Sequence, residues 1–184
     1  GDNGFKRTDY AVYRVPEPDL PADGGTVSVP WTRYAYEFPG GEKHNAEALF
    51  AHPATGRLYL VTKENSGPSL VFRFPESLDA SASNTLDYVT TLTVPAASDG
   101  RLTAADVSPC GRAVLLRLYN RLVELRLPDG EHDFERIFAA TPVEVPAAND
   151  PQGESVAYSA DGRAFYTSSE KLVEPCPLHE YRCR

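Results

Sequence analysis

Two carboxylates recur at one position of a repeated phrase. Aligned on the turn proline, Pro53 and Pro109, or on Ala160 where that proline is missing, the residue six positions earlier is Glu47, Thr103 and Glu154. If these positions begin innermost strands, they border a common axis, and carboxylates from different repeats can converge there. Converging carboxylates suit Ca²⁺, which takes six to eight oxygen ligands. Asp106, and Asp2 with Asn3, are further oxygen donors for such a site. The other reading is structural: Glu47 and Glu154 each accept hydrogen bonds from backbone N–H groups of a neighbouring repeat and tie repeat to repeat. Both readings are open on the sequence alone.

A second set sits at the ends of the following strands, in Thr62-Lys63-Glu64, Arg117-Leu118-Tyr119 and Ser168-Ser169-Glu170. Lys63, Arg117 and Glu170 on one face would contact a polar or anionic ligand; as charges at strand ends they need no function. A phosphate hydrolase wants several cations beside bridging metals, and the acidity of the chain runs against that. The histidines, His44, His52, His132 and His179, are scattered, and there is no Gly-x-Ser-x-Gly elbow, which argues against an α/β-type hydrolase. Propeller-type sites assemble from distant loops, so a missing motif says little about other enzymes.

The cysteines, Cys110, Cys176 and Cys183, show neither Cys-x-x-Cys spacing nor a dense disulfide framework. Cys110, between Pro109 and Gly111, reads as a turn residue rather than a nucleophile. Cys176 and Cys183 pose a choice. A straight strand between them separates their Cα atoms by about 23 Å at ~3.3 Å per residue, whereas a disulfide needs less than about 7 Å.

The elements that position these groups are strands. The phrase is a short apolar strand, a turn ending in Gly-Arg, and a second apolar strand. Its copies carry Gly56-Arg57, Gly111-Arg112 and Gly162-Arg163, and lie about 50 residues apart, near the known period of propeller blades. Glycine accepts the positive φ that the tight turn needs. One blade is predicted over 45–95, with strands Ala46–His52, Leu58–Thr62, Leu70–Phe74 and Leu86–Val94. A second is predicted over 101–146, with strands Leu102–Val107, Ala113–Leu118, Leu122–Leu127 and Phe134–Val145. Partial blades flank them at 1–40 (Tyr10–Val15 and Thr32–Phe38) and 153–184 (Ser155–Tyr158, Ala164–Thr167, Leu178–Cys183). The fold class is therefore all-β, a β-propeller of four-stranded antiparallel blades, with two whole blades and two partial ones in one propeller-type domain. Closure takes at least four blades, so the expectation is that missing strands come from an upstream segment or from a second chain.

Composition sets limits on partners. The 184 residues carry a formal charge of −8 and 41% hydrophobic residues, which suits a folded domain and disfavours nucleic-acid binding, since no basic stripe offsets the charge. No apolar stretch approaches the roughly 20 residues that cross a bilayer. The sequence opens Gly1-Asp2-Asn3 and contains no Met, which reads as a processed or trimmed product or a fragment.

Several phrases carry a likeness: Gly1-Asp2-Asn3 followed by Val12-Tyr13-Arg14-Val15-Pro16-Glu17-Pro18, Ala46-Glu47-Ala48-Leu49 with Gly56-Arg57-Leu58-Tyr59, Ala105-Asp106-Val107-Ser108-Pro109, and Gly153-Glu154-Ser155-Val156 with Asp161-Gly162-Arg163. Over most of its length the chain resembles exported bacterial β-propeller proteins of largely unassigned function, in the style of phytase-like and esterase-like propellers. The resemblance implies a location outside the cytoplasm, secreted or periplasmic, and a Gly-Asp-Asn element that closes the second strand of a blade. Cys110 departs from it, standing where Asp161 stands in the last copy. The expectation is a non-catalytic binding or scaffolding propeller, contacting a small polar ligand or protein at its channel mouth through Lys63, Arg117 and Glu170. The alternative is a calcium-assisted phosphate or ester hydrolase with Glu47, Asp106 and Glu154 as metal ligands.

Overall fold

Short apolar runs separated by glycine turns recur along the chain, and they form antiparallel sheets whose faces stack on one another. The computed structural model describes all residues except 20, 66, 93, 95–100, 148–151, 171–175 and 183–184. The first sheet pairs β1 (Ala11–Arg14) with β2 (Thr32–Glu37). The second blade has β3 (Ala46–Ala51), β4 (Leu58–Thr62), β5 (Ser69–Arg73) and, after the two-residue β6 (Asn84–Thr85), β7 (Asp87–Leu92). The short β6 pairs parallel with β2, and Asn84 Nδ2 donates to the Ala35 carbonyl at 2.7 Å, which staples the first sheet to the second blade. The third blade is β8 (Leu102–Val107), β9 (Ala113–Leu118), β10 (Leu122–Arg126) and β11 (Val143–Val145). The fourth sheet is β12 (Gly153–Tyr158), β13 (Ala164–Ser169) and β14 (His179–Arg182).

The sheet orders are β3-β4-β5-β7, β8-β9-β10-β11 and β12-β13-β14, the propeller arrangement that the spacing predicts. Three apolar layers separate the sheets. Phe50, Tyr59 and Val61 meet Val114, Leu116 and Leu125 between the second and third blades. Phe38 with Tyr10 and Val12 covers Leu60, Phe72 and Phe74 between the first two, and Leu115 and Leu122 meet Val156 and Phe165 between the last two. This explains the continuous apolar run in β9: Val114, Leu116 and Leu118 face one neighbour and Leu115 the other, so both faces are buried and alternation disappears from the sequence.

Two readings are corrected. Phe134–Val145 is not one outer strand: Phe134–Ala139 forms 3₁₀ turns, with the Asp133 carboxylate accepting from Glu135 N at 3.0 Å, and only Val143–Val145 pairs as a strand. Phe134, Ile137 and Phe138, spaced i, i+3 and i+4, all enter the core between blades, which a strand cannot do with that spacing. Among the described residues the last predicted strand, Leu178–Cys183, begins one residue later and covers His179–Arg182. Cys183, and with it the Cys176–Cys183 alternative, lies outside the described residues; the Cys176 thiol donates to the Ser169 carbonyl at 2.9 Å. Gly56, Gly111 and Gly162 all have positive φ, 68°, 72° and 68°, as the turn reading requires.

Candidate functional site

The three inner strands, β3, β8 and β12, pack side by side, and each carries the same irregularity at the same place. The register shifts between Ala46 and Ala48, between Leu102 and Ala104, and between Gly153 and Ser155. The extra residues of these bulges are Glu47, Thr103 and Glu154, the three positions that the turn alignment equates. A bulge leaves its extra residue out of the ladder and re-aims its side chain. The repeated phrase thus turns two carboxylates and a hydroxyl out of their sheets at one end of the blades.

The same registers fix the partners. Ala46 pairs with Thr62, Leu102 with Leu118 and Gly153 with Ser169, so the next residues, Lys63, Tyr119 and Glu170, are level with one another. Lys63 N donates to the Asn45 carbonyl at 2.7 Å and Glu170 N to the Gln152 carbonyl at 2.9 Å, which extends the equivalence outward to Asn45, Arg101 and Gln152.

These groups interact as a cluster. Lys63 Nζ lies 2.6 Å from Glu47 Oε2 and 4.7 Å from the centre of the Tyr119 ring, and Arg101 approaches that ring to 5.7 Å. Gln152 Nε2 donates to Glu154 Oε1 at 2.9 Å and also to Glu170 Oε2. Burial alone would lower the Lys63 pKa, but the hydrogen bonds to Glu47 and Tyr119 and the charges of Glu47 and Glu154 raise it above its ordinary value. The ammonium is therefore held protonated. Beside this cluster, Asp2 N donates to Asn45 Oδ1 at 2.5 Å and Asn45 Nδ2 to Asn3 Oδ1 at 2.8 Å.

Of the six residues singled out in the sequence, four come together: Glu47, Lys63, Glu154 and Glu170. Arg117 does not line this end. It pairs across the sheet with Ala104, one step inside the bulge, and is fully buried. Its guanidinium packs on Gly153 so closely that a Cβ there would fall within it. Asp106 lies further along β8, opposite Leu115, and its Oδ2 accepts from Tyr158 N at 2.7 Å. Tyr119, Arg101 and Gln152 were not foreseen. The signal for Tyr119 was the one-residue difference between the hairpins: Gly56 stands six residues before Thr62, while Gly111 stands seven before Leu118, so counting from glycine misses the level by one.

For calcium the chemistry is a poor fit as arranged. Lys63 occupies Glu47, Asp106 is elsewhere on its strand, and among the described residues no three His, Cys, Asp or Glu side chains form a group able to hold a metal ion. His44 and His52 are engaged locally, with Glu42 and Thr55, each at 3.1 Å.

No family model and no curated protein matches the sequence. Solved structures match the fold. A candidate 6-phosphogluconolactonase from Bacteroides uniformis ATCC 8492 is similar over 92% of this chain and 46% of its own, with 11% identity and a TM-score of 0.50. A gluconolactonase from Xanthomonas campestris is similar over 97% of this chain and 55% of its own, with 14% identity and a TM-score of 0.50. A chain of a nidogen/laminin complex is similar over 95% of this chain and 55% of its own, with 6% identity and a TM-score of 0.57. The chain spans about half the length of these proteins, and at such identities the likeness is one of fold.

Proposed function

We propose that the bulge end of the blades is a non-catalytic binding site for a small, neutral, hydroxyl-rich molecule of the sugar or sugar-lactone class. The observation that carries this reading is the alignment of Glu47 and Glu154, as bulged residues, with Lys63, Tyr119 and Glu170 on the adjoining strand ends. Glu154 and Glu170 offer carboxylate oxygens that accept from vicinal hydroxyls, Gln152 offers an amide, and Tyr119 offers an apolar ring face for the C–H side of a pyranose. A few convergent polar groups around an apolar surface are what orient a small ligand. The surplus of carboxylates disfavours an anionic ligand.

Non-catalytic action is supported by the state of Lys63. An ammonium ion-paired to Glu47 with a raised pKa is a poor nucleophile and a poor general base at neutral pH. No helix of the described residues is long and apolar enough to cross a membrane. A setting outside the cytoplasm belongs to the same proposal, on the likeness of its phrases to exported propellers.

A hydrolytic role is the second reading, favoured by the fold neighbours described as lactonases. In it Glu47 and Glu154 hold calcium, which must first displace Lys63. One set of measurements separates the two. D-Glucono-δ-lactone and D-glucose are titrated calorimetrically, and proton release from the lactone is followed by pH-stat with and without calcium. Saturable heats without enzymatic proton release support binding alone. Calcium-dependent hydrolysis that Glu47→Gln with Glu154→Gln abolishes supports the second reading, and no heat with either sugar refutes the sugar-class proposal.

A further inference from the structure

Leu49 of β3, Ala105 of β8 and Val156 of β12 are equivalent, each two residues past its bulge. Ala105 and Val156 are both 8% exposed, whereas Leu49, the largest of the three side chains, is 42% exposed. Ala51 is exposed where its counterpart Val107 is buried. The difference lies in what covers them. Ala105 and Val107 belong to the layer built with Phe50 and Val61 of the blade before them; Val156 belongs to the layer built with Leu115 and Leu122 of the blade before it. The cover comes from the blade before: β3 packs on β8, and β8 and β9 pack on β12, with Leu122 of β10 added in the second case.

On the corresponding side of β3 the preceding sheet supplies β1 and β2. Their Tyr10, Val12, Tyr36 and Phe38 cover the outer part of the second blade around Leu60, Phe72 and Phe74. Among the described residues β1 pairs with β2 and with no strand on its other edge. Two clefts of about 280 and 540 Å³ flank that edge, both lined by Val12, Tyr13 and Leu49. An unpaired, apolar strand edge is a template for another strand.

We infer that the free edge of β1 and the Leu49 face of β3 receive a two-stranded antiparallel hairpin of the blade type. Its second strand hydrogen-bonds to β1, as β4 does to β5, and its first lies inward of that, as β3 does beside β4. Main-chain bonds to β1 supply affinity and alternate side chains supply fit, the usual logic of strand addition. The hairpin must present apolar residues to Leu49 and Ala51, as β3 and β4 present Phe50, Tyr59 and Val61 to the layer of Ala105 and Val107, and a polar residue at its bulge end toward Asn45 and Glu47. The occupant is set by continuity with the two interfaces already formed: the same hairpin type covers β8 and β12.

The probe is this chain's own inner hairpin, residues 46–62, added as a second copy directly before Gly1 of the full chain. The single tryptophan, Trp31, lies with its ring 5.4 Å from that of Tyr13 on β1 and reports on the edge. The fused chain should show altered Trp31 emission, a melting temperature several degrees higher, and about tenfold slower amide exchange over Ala11–Arg14. Leu49→Lys should remove these gains, while Val143→Lys, at an exposed site on β11, should leave them. A fused chain that matches the unfused one in emission, melting and exchange overturns the inference. So does an unfused chain that sediments as a dimer with Leu49 already protected, which assigns the face to a second copy.

Discussion

Lys63 Nζ lies 2.6 Å from Glu47 Oε2, joining the end of β4 to the bulge of β3 across the opening of one hairpin. Both side chains are largely withdrawn from water, so removing one partner strands the other. Lys63→Met should destabilise by about 2 kcal/mol, and Lys63→Met with Glu47→Gln by less than the sum of the single changes. Urea unfolding of the four members of this cycle measures the coupling; additive losses would mean that the pair contributes nothing of its own.

The raised pKa of Lys63 makes a signed claim about pH. The folded state holds this proton more tightly than the unfolded chain, so the stabilisation is complete below about pH 10.5 and is lost as pH rises through the folded value. The difference in melting temperature between wild type and Lys63→Met should therefore shrink above about pH 10.5. A difference independent of pH between 8 and 12 would contradict it.

Gly153 is required by its neighbour. A Cβ there would overlap the Arg117 guanidinium, which is fully buried, while Gly153 also donates to the Tyr119 carbonyl at 2.7 Å and accepts from Thr103 Oγ1 at 2.7 Å. Gly153→Ala should cost about 2 to 3 kcal/mol through overpacking. Trimming the long side chain with Arg117→Ala should cost less in the Gly153→Ala background than in the wild type. Equal costs in both backgrounds, by denaturant unfolding, would show that the two residues do not collide.

Asp106 and Glu124 both reach Tyr158 of the next sheet. Asp106 Oδ2 accepts from its backbone N–H, and Glu124 Oε1 accepts from its hydroxyl at 2.7 Å. Burial raises the Asp106 pKa more than its backbone hydrogen bonds lower it, so the folded state disfavours the charged form. Stability from this group is greatest at low pH and falls as pH rises through the folded value. Asp106→Asn keeps an acceptor for Tyr158 N–H and should raise the melting temperature at pH 7 by roughly 2 °C, with no gain at pH 3. Tyr158→Phe should cost about 1 kcal/mol. A lower melting temperature for Asp106→Asn at pH 7 would reverse the assignment.

Asp2 behaves oppositely. Desolvation pushes its pKa up, but bonds from Lys6 N, Arg7 N and Tyr10 Oη outweigh it and hold the carboxyl low. Its contribution is present above the unfolded pKa and lost as pH falls through the lower folded value. Asp2→Ala should speed amide exchange at Lys6 and Arg7 at pH 7, with the contrast from wild type fading on acidification. Unchanged exchange at pH 7 would remove Asp2 from that role.

The phrase that repeats every fifty residues made the strands, turns and blade order legible, because period-two burial and positive-φ glycines leave marks in residue type. It also located the bulges without naming them: equal spacing from the turn proline put Glu47, Thr103 and Glu154 on one level. The 3₁₀ turns at Phe134–Ala139 were hidden because six residues are too few to establish a helical period against surrounding strands. Arg117 misled because a cation at a strand end reads as exposed, and only the facing Gly153 explains its burial. Tyr119 and Gln152 entered the site through register and blade-to-blade packing, which no single stretch of sequence encodes.

The most direct measurement is a ¹H–¹⁵N titration of the intact chain with D-glucose. The proposed site predicts saturable shifts confined to the amides of Lys63, Tyr119, Gln152, Glu154 and Glu170 and their neighbours, weakened at least tenfold by Tyr119→Ala. Shifts that cluster elsewhere, or shifts at these amides that Tyr119→Ala leaves unchanged, would contradict it.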